Sequence, residues 1–248
     1  MISERLKYLL DFGVGDGSCW KNRNTYYYKL EHSTKQRDYF NHKRDILISL
    51  GYTGRERERE VVLKGKVYHT VSFTLHVAPE LNSCHKWLYG NGRKTIDKRL
   101  LRSLDARSLA YWYMDDGSAN KSRKSSSSPG NGYRYYYTHK EPKLFQIRLY
   151  TYAFSLEEHT LMINWFKEKF DLNFGLVNGK RDGLYLKLSK LEERIKFIDL
   201  VKPYIIPSMQ YKISGLLSYK GIKPIDTCRK RTERRSSSEL EEDATVHE

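Results

Sequence analysis

Two stretches of this chain end in acids where apolar residues would be expected to continue. LLDFGVGDGS, residues 9–18, closes on Asp16, Gly17 and Ser18, and LAYWYMDDGS, residues 109–118, closes on Asp115, Asp116, Gly117 and Ser118. Carboxylates are the hard oxygen donors that divalent cations take, so an acid set at the same place in two matching helices is a feature that could do chemistry. Taken singly, each stretch also reads as a helix C-terminus that reaches solvent and is stopped by glycine. The recurrence after 100 residues favours the chemical reading.

The composition points to a partner. Lys and Arg number 45 against 30 for Asp and Glu, a formal charge of +15, and there are 20 tyrosines. Basic side chains neutralise phosphates with release of counterions, and tyrosine offers a flat face and a hydroxyl to bases and sugars, so nucleic acid is the expected partner. A merely soluble or ribosome-like basic protein would share this charge. No apolar run approaches the length of a membrane span, and Glu4, Arg5 and Lys7 break the first residues, which excludes a secretory signal there. The expected location is therefore the compartment of synthesis: a bacterial or phage-infected cytoplasm, or an organelle matrix. Cys19, Cys84 and Cys228 are odd in number and widely spaced, which reads as reduced thiols and no structural zinc.

The elements that must position the two acids repeat as well. After the first motif come a strand at 25–32, a helix at 36–52, a hairpin at 59–76 turning at Gly65, and a helix at 79–90. After the second come a strand at 144–154, a helix at 155–170 opening on a Ser155/Glu158 capping box, a hairpin at 171–190 and a helix at 191–205. The fold class is α+β, two pseudo-symmetric α-β-β-α-β-β-α halves at 1–104 and 105–220. The insert at 122–138 reads as a flexible surface loop, and 221–248 as a disordered charged tail.

Aligned, Leu9–Gly17 and Leu109–Gly117 resemble two copies of the nine-residue signature of the LAGLIDADG homing endonucleases, and the likeness runs over roughly residues 3–214. RKTI at 93–96 and VKPYIIPSMQYK at 201–212 are similar to further segments of the single-chain, two-motif members. The resemblance implies that the motif helices pack side by side on a pseudo-twofold axis, beneath a saddle of strands that binds DNA. It implies that Asp16 and Asp116 hold Mg2+, with Mn2+ as a substitute, assisted by the backbone carbonyls of Gly15 and Asp115. The Asp115 side chain then has two readings: a weaker ligand than Asp116, or a solvated charge at the helix end. Lys94 and Lys212 fall where the family places basic residues that orient water and offset charge on the phosphate. The third signature position, commonly small, is Asp11 in one copy and Tyr111 in the other, and the sixth is Val14 or Met114 where many members are polar. This leaves open how the two helices meet.

Alternation along the strands gives candidate DNA contacts. Tyr28 and Leu30, and Ile147 and Leu149, are the inward sets. The outward sets are Tyr27, Lys29 and Glu31 in the first half, Gln146, Arg148 and Tyr150 in the second, with Tyr185 and Lys187 from the later hairpin. Because the two sets differ, a monomer carrying both should read an asymmetric double-stranded target. The leading expectation is a metal-dependent endonuclease that cuts both strands at a specific site. The alternative is a maturase for intron RNA, or a regulator of the same fold that binds without cutting. A His-Asn-His nuclease, suggested by FNHKRD at 40–45, lacks its second histidine, and an intein is set aside for want of terminal splice residues.

Overall fold

The first half runs α1 (Glu4–Gly13), β1 (Ser18–Asn22), β2 (Thr25–Ser33), α2 (Arg37–Ser49), β3 (Gly54–Leu63), β4 (Lys66–Leu75) and α3 (Pro79–Tyr89). A short helix, α4 (Lys98–Ser103), leads to the second half: α5 (Ala106–Asp116), β5 (Gly117–Lys121), β6 (Phe145–Leu149), α6 (Leu156–Phe170), β7 (Gly175–Gly179), β8 (Gly183–Leu188) and α7 (Leu191–Val201). In this computed structural model the described residues are 2–63, 65–90, 92–121, 145–179 and 183–213. The insert, Cys228 and the charged tail lie outside them.

Each half builds a four-stranded antiparallel sheet in the same order, β1-β2-β4-β3 and β5-β6-β8-β7. The registers correspond: Ser18 pairs with Lys29, and Ser118 with Arg148. The spacing that relates Lys29 to Arg148 also relates Gln36 to Ser155, the N-caps of α2 and α6. Expected helix starts are seen where capping chemistry is strong. The Ser155/Glu158 box forms in both directions, and Pro79 opens α3.

The ends of several elements differ from the sequence reading. The first hairpin begins at Gly54 rather than near 59, because alternating Arg and Glu in its first strand carry no apolar signal, and both faces there are exposed. Strand β6 stops at Leu149, after which the chain turns into the cap of α6. The last helix stops at Val201, where Pro203 can supply no N–H to continue it.

α1 and α5 lie against each other at the centre. Leu9, Leu10 and Phe12 of one, and Leu109, Ala110, Trp112, Tyr113 and Met114 of the other, are buried completely. The unusual third signature residues are accommodated by polar pairing. Asp11, fully buried, accepts from Ser108 Oγ at 2.6 Å and from Arg107 Nε at 3.0 Å, and is paired with Lys7. Tyr111 meets Phe12 edge-on at 4.8 Å and bonds His42 through its hydroxyl at 3.0 Å.

Candidate active site

Asp116 is the last residue of α5, and Asp16 lies three residues past the end of α1. Two glycines let these ends approach. A Cβ at Gly15 would fall inside the Asp115 carboxylate, and one at Gly17 would strike the Tyr28 hydroxyl. The Asp16 backbone N–H donates to Asp115 Oδ2 at 2.9 Å, across the pseudo-twofold. Asp16 Oδ2 also lies 3.5 Å from His32 Nδ1, while its side chain remains 40% exposed.

The two expected lysines reach the two helix ends in matching ways. Lys94 Nζ donates to the carbonyls of Gly15 at 2.6 Å and Gly17 at 3.0 Å. Lys212 Nζ donates to the carbonyls of Met114, of Asp115 at 3.2 Å and of Tyr113 at 3.4 Å. Lys212 therefore rests against the negative end of the α5 dipole, and Lys94 against the turn that follows α1. Lys94 is held from the second half: its neighbours Arg93 and Ile96 bond the Glu158 carboxylate at 2.8 and 3.0 Å. Lys212 is fixed by its own carbonyl, which accepts from the Tyr113 hydroxyl at 3.0 Å.

Burial dominates the electrostatics of the site. Burial, then the charge of Asp115, raises the Asp16 carboxyl to about 6 despite Lys43, Lys94 and Lys212. Burial, then Asp115 and Asp16, raises Asp116 to about 7. Burial lowers both Lys94 and Lys212 against the pull of these acids. Burial alone would raise Asp115, but the Lys43 ammonium, followed by His32 and two hydrogen bonds, holds it below the ordinary carboxylate value. His32, buried and facing Lys43, is depressed to about 4 and is neutral near pH 7.

The second reading of Asp115, a solvated charge at the helix end, is corrected by its burial: the side chain has no exposed surface and is ion-paired with Lys43 at 2.6 Å. Neither Lys43 nor His32 stood out in the sequence. A signal was present for Lys43, which falls four residues after Tyr39 and four before Leu47 on the buried face of α2. Donor atoms of Asp16, His32 and Asp115 lie within 4.8 Å of one another, but both Asp115 oxygens are already engaged by Lys43, the Tyr39 hydroxyl and the Asp16 N–H. The Asp116 carboxylate stands outside that trio and is coupled to it through the charges of Asp16 and Asp115.

The outward strand residues occupy one face of each sheet. Tyr27, Lys29 and Glu31 alternate with buried Tyr28 and Leu30, and the register sets Arg55, Arg57 and Arg59 of β3 on the same face, through Thr74, Ser72 and Thr70. These three arginines were missed because their strand lacked apolar punctuation. Glu31 is not a free acceptor, since it is paired with Lys29 and with Arg59, the latter at 2.6 Å. In the second half Arg148 bonds Gln146 at 3.1 Å and lies 5.7 Å from the Tyr185 ring. Tyr150 bonds Ser118 at 3.1 Å and neighbours Tyr185 at 5.8 Å, and Lys187 pairs with Arg148 in register.

The chain is a doubled α+β fold with paired acids at its central helix ends and one polar, basic face on each sheet. Residues 14–194 match the model of the LAGLIDADG DNA endonuclease family, and the chain belongs to that family. It is 26% identical over 220 residues to a Protein RecA of Mycolicibacterium chitae, across 86% of this chain and 47% of that protein. It is 34% identical over 128 residues to the Probable intron-encoded endonuclease 1 of Wickerhamomyces canadensis, across 50% of this chain and 46% of that protein. The chain thus spans about half the length of these curated relatives. Among solved structures, the homing endonuclease I-WcaI bound to its DNA recognition sequence superposes with a TM-score of 0.66 at 23% identity, covering 86% of this chain and 87% of that one. The two-half architecture is that of the homing endonuclease fold. Among the described residues no helix is long and apolar enough to cross a membrane.

Proposed function

We propose that this protein is a site-specific homing endonuclease that hydrolyses both strands of a long, asymmetric double-stranded DNA target with divalent metal ions. The observation that carries this reading is the symmetric meeting of Asp16 and Asp116 with Lys94 and Lys212 at the paired helix ends. The donor set suits Mg2+, since two carboxylates and the carbonyls of Gly15 and Asp115 are hard oxygens, and the ammonium groups already against those carbonyls mark them as cation-seeking. When bound, such ions supply an activated water and Lewis acidity toward the phosphate.

The chain's own residues do the rest. Asp16 and Asp116 hold the ions: burial first, and then the neighbouring Asp115 charge, raises both carboxyls, and a bound cation would offset that cost. Lys94 and Lys212 face charge that gathers on phosphate oxygens in the transition state. The sheet faces carry Tyr27, Lys29, Arg148 and Lys187 toward bases and phosphates, while Gln146, Tyr150, Tyr185 and Glu31 set the local chemistry of each half-site. Because the two faces differ and one chain supplies both, the protein acts as a monomer on an asymmetric site.

The test is incubation with Mg2+ and a randomised duplex library, followed by sequencing of the ends produced. One recurrent asymmetric site, lost in EDTA and in Asp16→Asn, is the expected result. Binding without ends would refute the enzymatic reading.

A further inference from the structure

One ion pair of the central site exists on only one side of the pseudo-twofold. Lys43 belongs to α2 of the first half and Asp115 to the motif helix of the second, and both side chains are without exposed surface. A carboxylate has about four lone-pair positions, and here all are taken. Oδ1 accepts from Lys43 Nζ at 2.6 Å and the Tyr39 hydroxyl at 2.8 Å, while Oδ2 accepts from Lys43 Nζ at 2.8 Å and the Asp16 N–H at 2.9 Å. The Asp115 carboxylate has nothing left to offer a metal ion.

On the other side both charges are missing together. Gly15 stands at the place of Asp115, and the spacing that relates Lys29 to Arg148 and Gln36 to Ser155 sets buried Met162 at the place of Lys43. Either charge without its partner would be a buried, uncompensated ion. Packing enforces the single copy, since the Asp115 carboxylate fills the space that a side chain at position 15 would need. In consequence the Asp16 backbone amide, past the end of α1, is fixed from across the axis, whereas Asp116 is the last residue of α5 and Gly15 has no side chain to offer in return.

We propose that Lys43 and Asp115 form a positioning unit for Asp16, so that cutting of the strand served by Asp16 depends on this pair more steeply than cutting of the strand served by Asp116. This rests on the reading of Asp16 and Asp116 as the metal-holding acids. Lys43 acts through Asp115 and touches neither DNA nor metal.

The test installs the other side's neutral pair with Lys43→Met/Asp115→Gly, which leaves net charge unchanged. Lys43→Gln/Asp115→Asn, which keeps side-chain volume, serves as the second variant in case the first does not fold, and it is expected to shift the strand ratio in the same direction. In metal-free protein, hydrogen exchange at the Asp16 amide should quicken by about tenfold, the size of one hydrogen bond to a charged group. In single-turnover reactions with Mg2+, resolved by strand, one rate should fall by about tenfold relative to the other, with DNA affinity unchanged. Equal loss on both strands, or an unaltered Asp16 amide, would overturn the proposal. A wild-type protein that cuts neither strand, or an Asp16→Asn variant that still cuts both, would instead defeat the assignment of function on which it rests.

Discussion

Replacing Asp116 with asparagine should stabilise the metal-free protein even as it removes an acid that we propose to hold metal. Burial, then the charges of Asp115 and Asp16, pushes the Asp116 carboxyl up to about 7. An aspartate in an unfolded chain titrates at about 3.9, so about three pH units separate the two states, ~4 kcal/mol at ~1.36 kcal/mol each. Asp116 keeps partial contact with solvent, which screens the interaction, and a gain of about 1–3 kcal/mol is expected. The sign follows from the order of titration. Below about pH 4 the carboxyl is neutral in both states; between about 4 and 7 the unfolded chain loses its proton first and native stability falls; above that the deficit is complete and constant. Asparagine carries none of it. In urea denaturation with EDTA the variant should therefore exceed wild type at pH 8, with the advantage shrinking away as the pH approaches 4. Each kcal/mol moves the melting temperature of a protein of this size by about 2–4 °C. Mg2+ should reverse the order by binding the native wild type and not the variant. A variant no more stable at pH 8, or an advantage that survives acidification, would refute the electrostatic account of the site.

Lys94→Met or Lys212→Met should slow cleavage of bound DNA more than it weakens binding, as single-turnover rates set beside dissociation constants would record; the reverse pattern would reduce either residue to a surface charge. Gly15→Ala drives a methyl into the Asp115 carboxylate and should cost about 1–3 kcal/mol in chemical denaturation. Gly175→Ala, whose new Cβ would stand 3.8 Å from the nearest neighbouring atom, should be close to neutral. Asp11→Ala removes the buried partner of Lys7 and Arg107, leaving Lys7 with Asp105 at 3.3 Å, and should destabilise by about 1–3 kcal/mol, a loss that equilibrium unfolding would measure.

Much of the architecture was legible because it rests on local signals. The repeated Asp-Gly-Ser ends, the Ser155/Glu158 box and the Tyr28/Leu30 and Ile147/Leu149 alternations are each contained within a few residues, and each recurs in the structure. The charged first strand of the hairpin was not legible, because Arg55, Arg57 and Arg59 are held by pairing with β4 rather than by an apolar face of their own.

The sequence by itself determined that two acids recur on a duplicated frame, and resemblance set Lys94 and Lys212 beside them. Only the tertiary structure decided what Asp115 does. Nothing local separates it from Asp116, one residue along. Helical geometry turns successive side chains about the axis, and the packing of α1 against α5 sends one carboxylate toward Lys43 while its neighbour remains at the shared acidic centre. Burying either charge without the other would leave it uncompensated, and the pair that avoids this joins residues 72 positions apart in the chain.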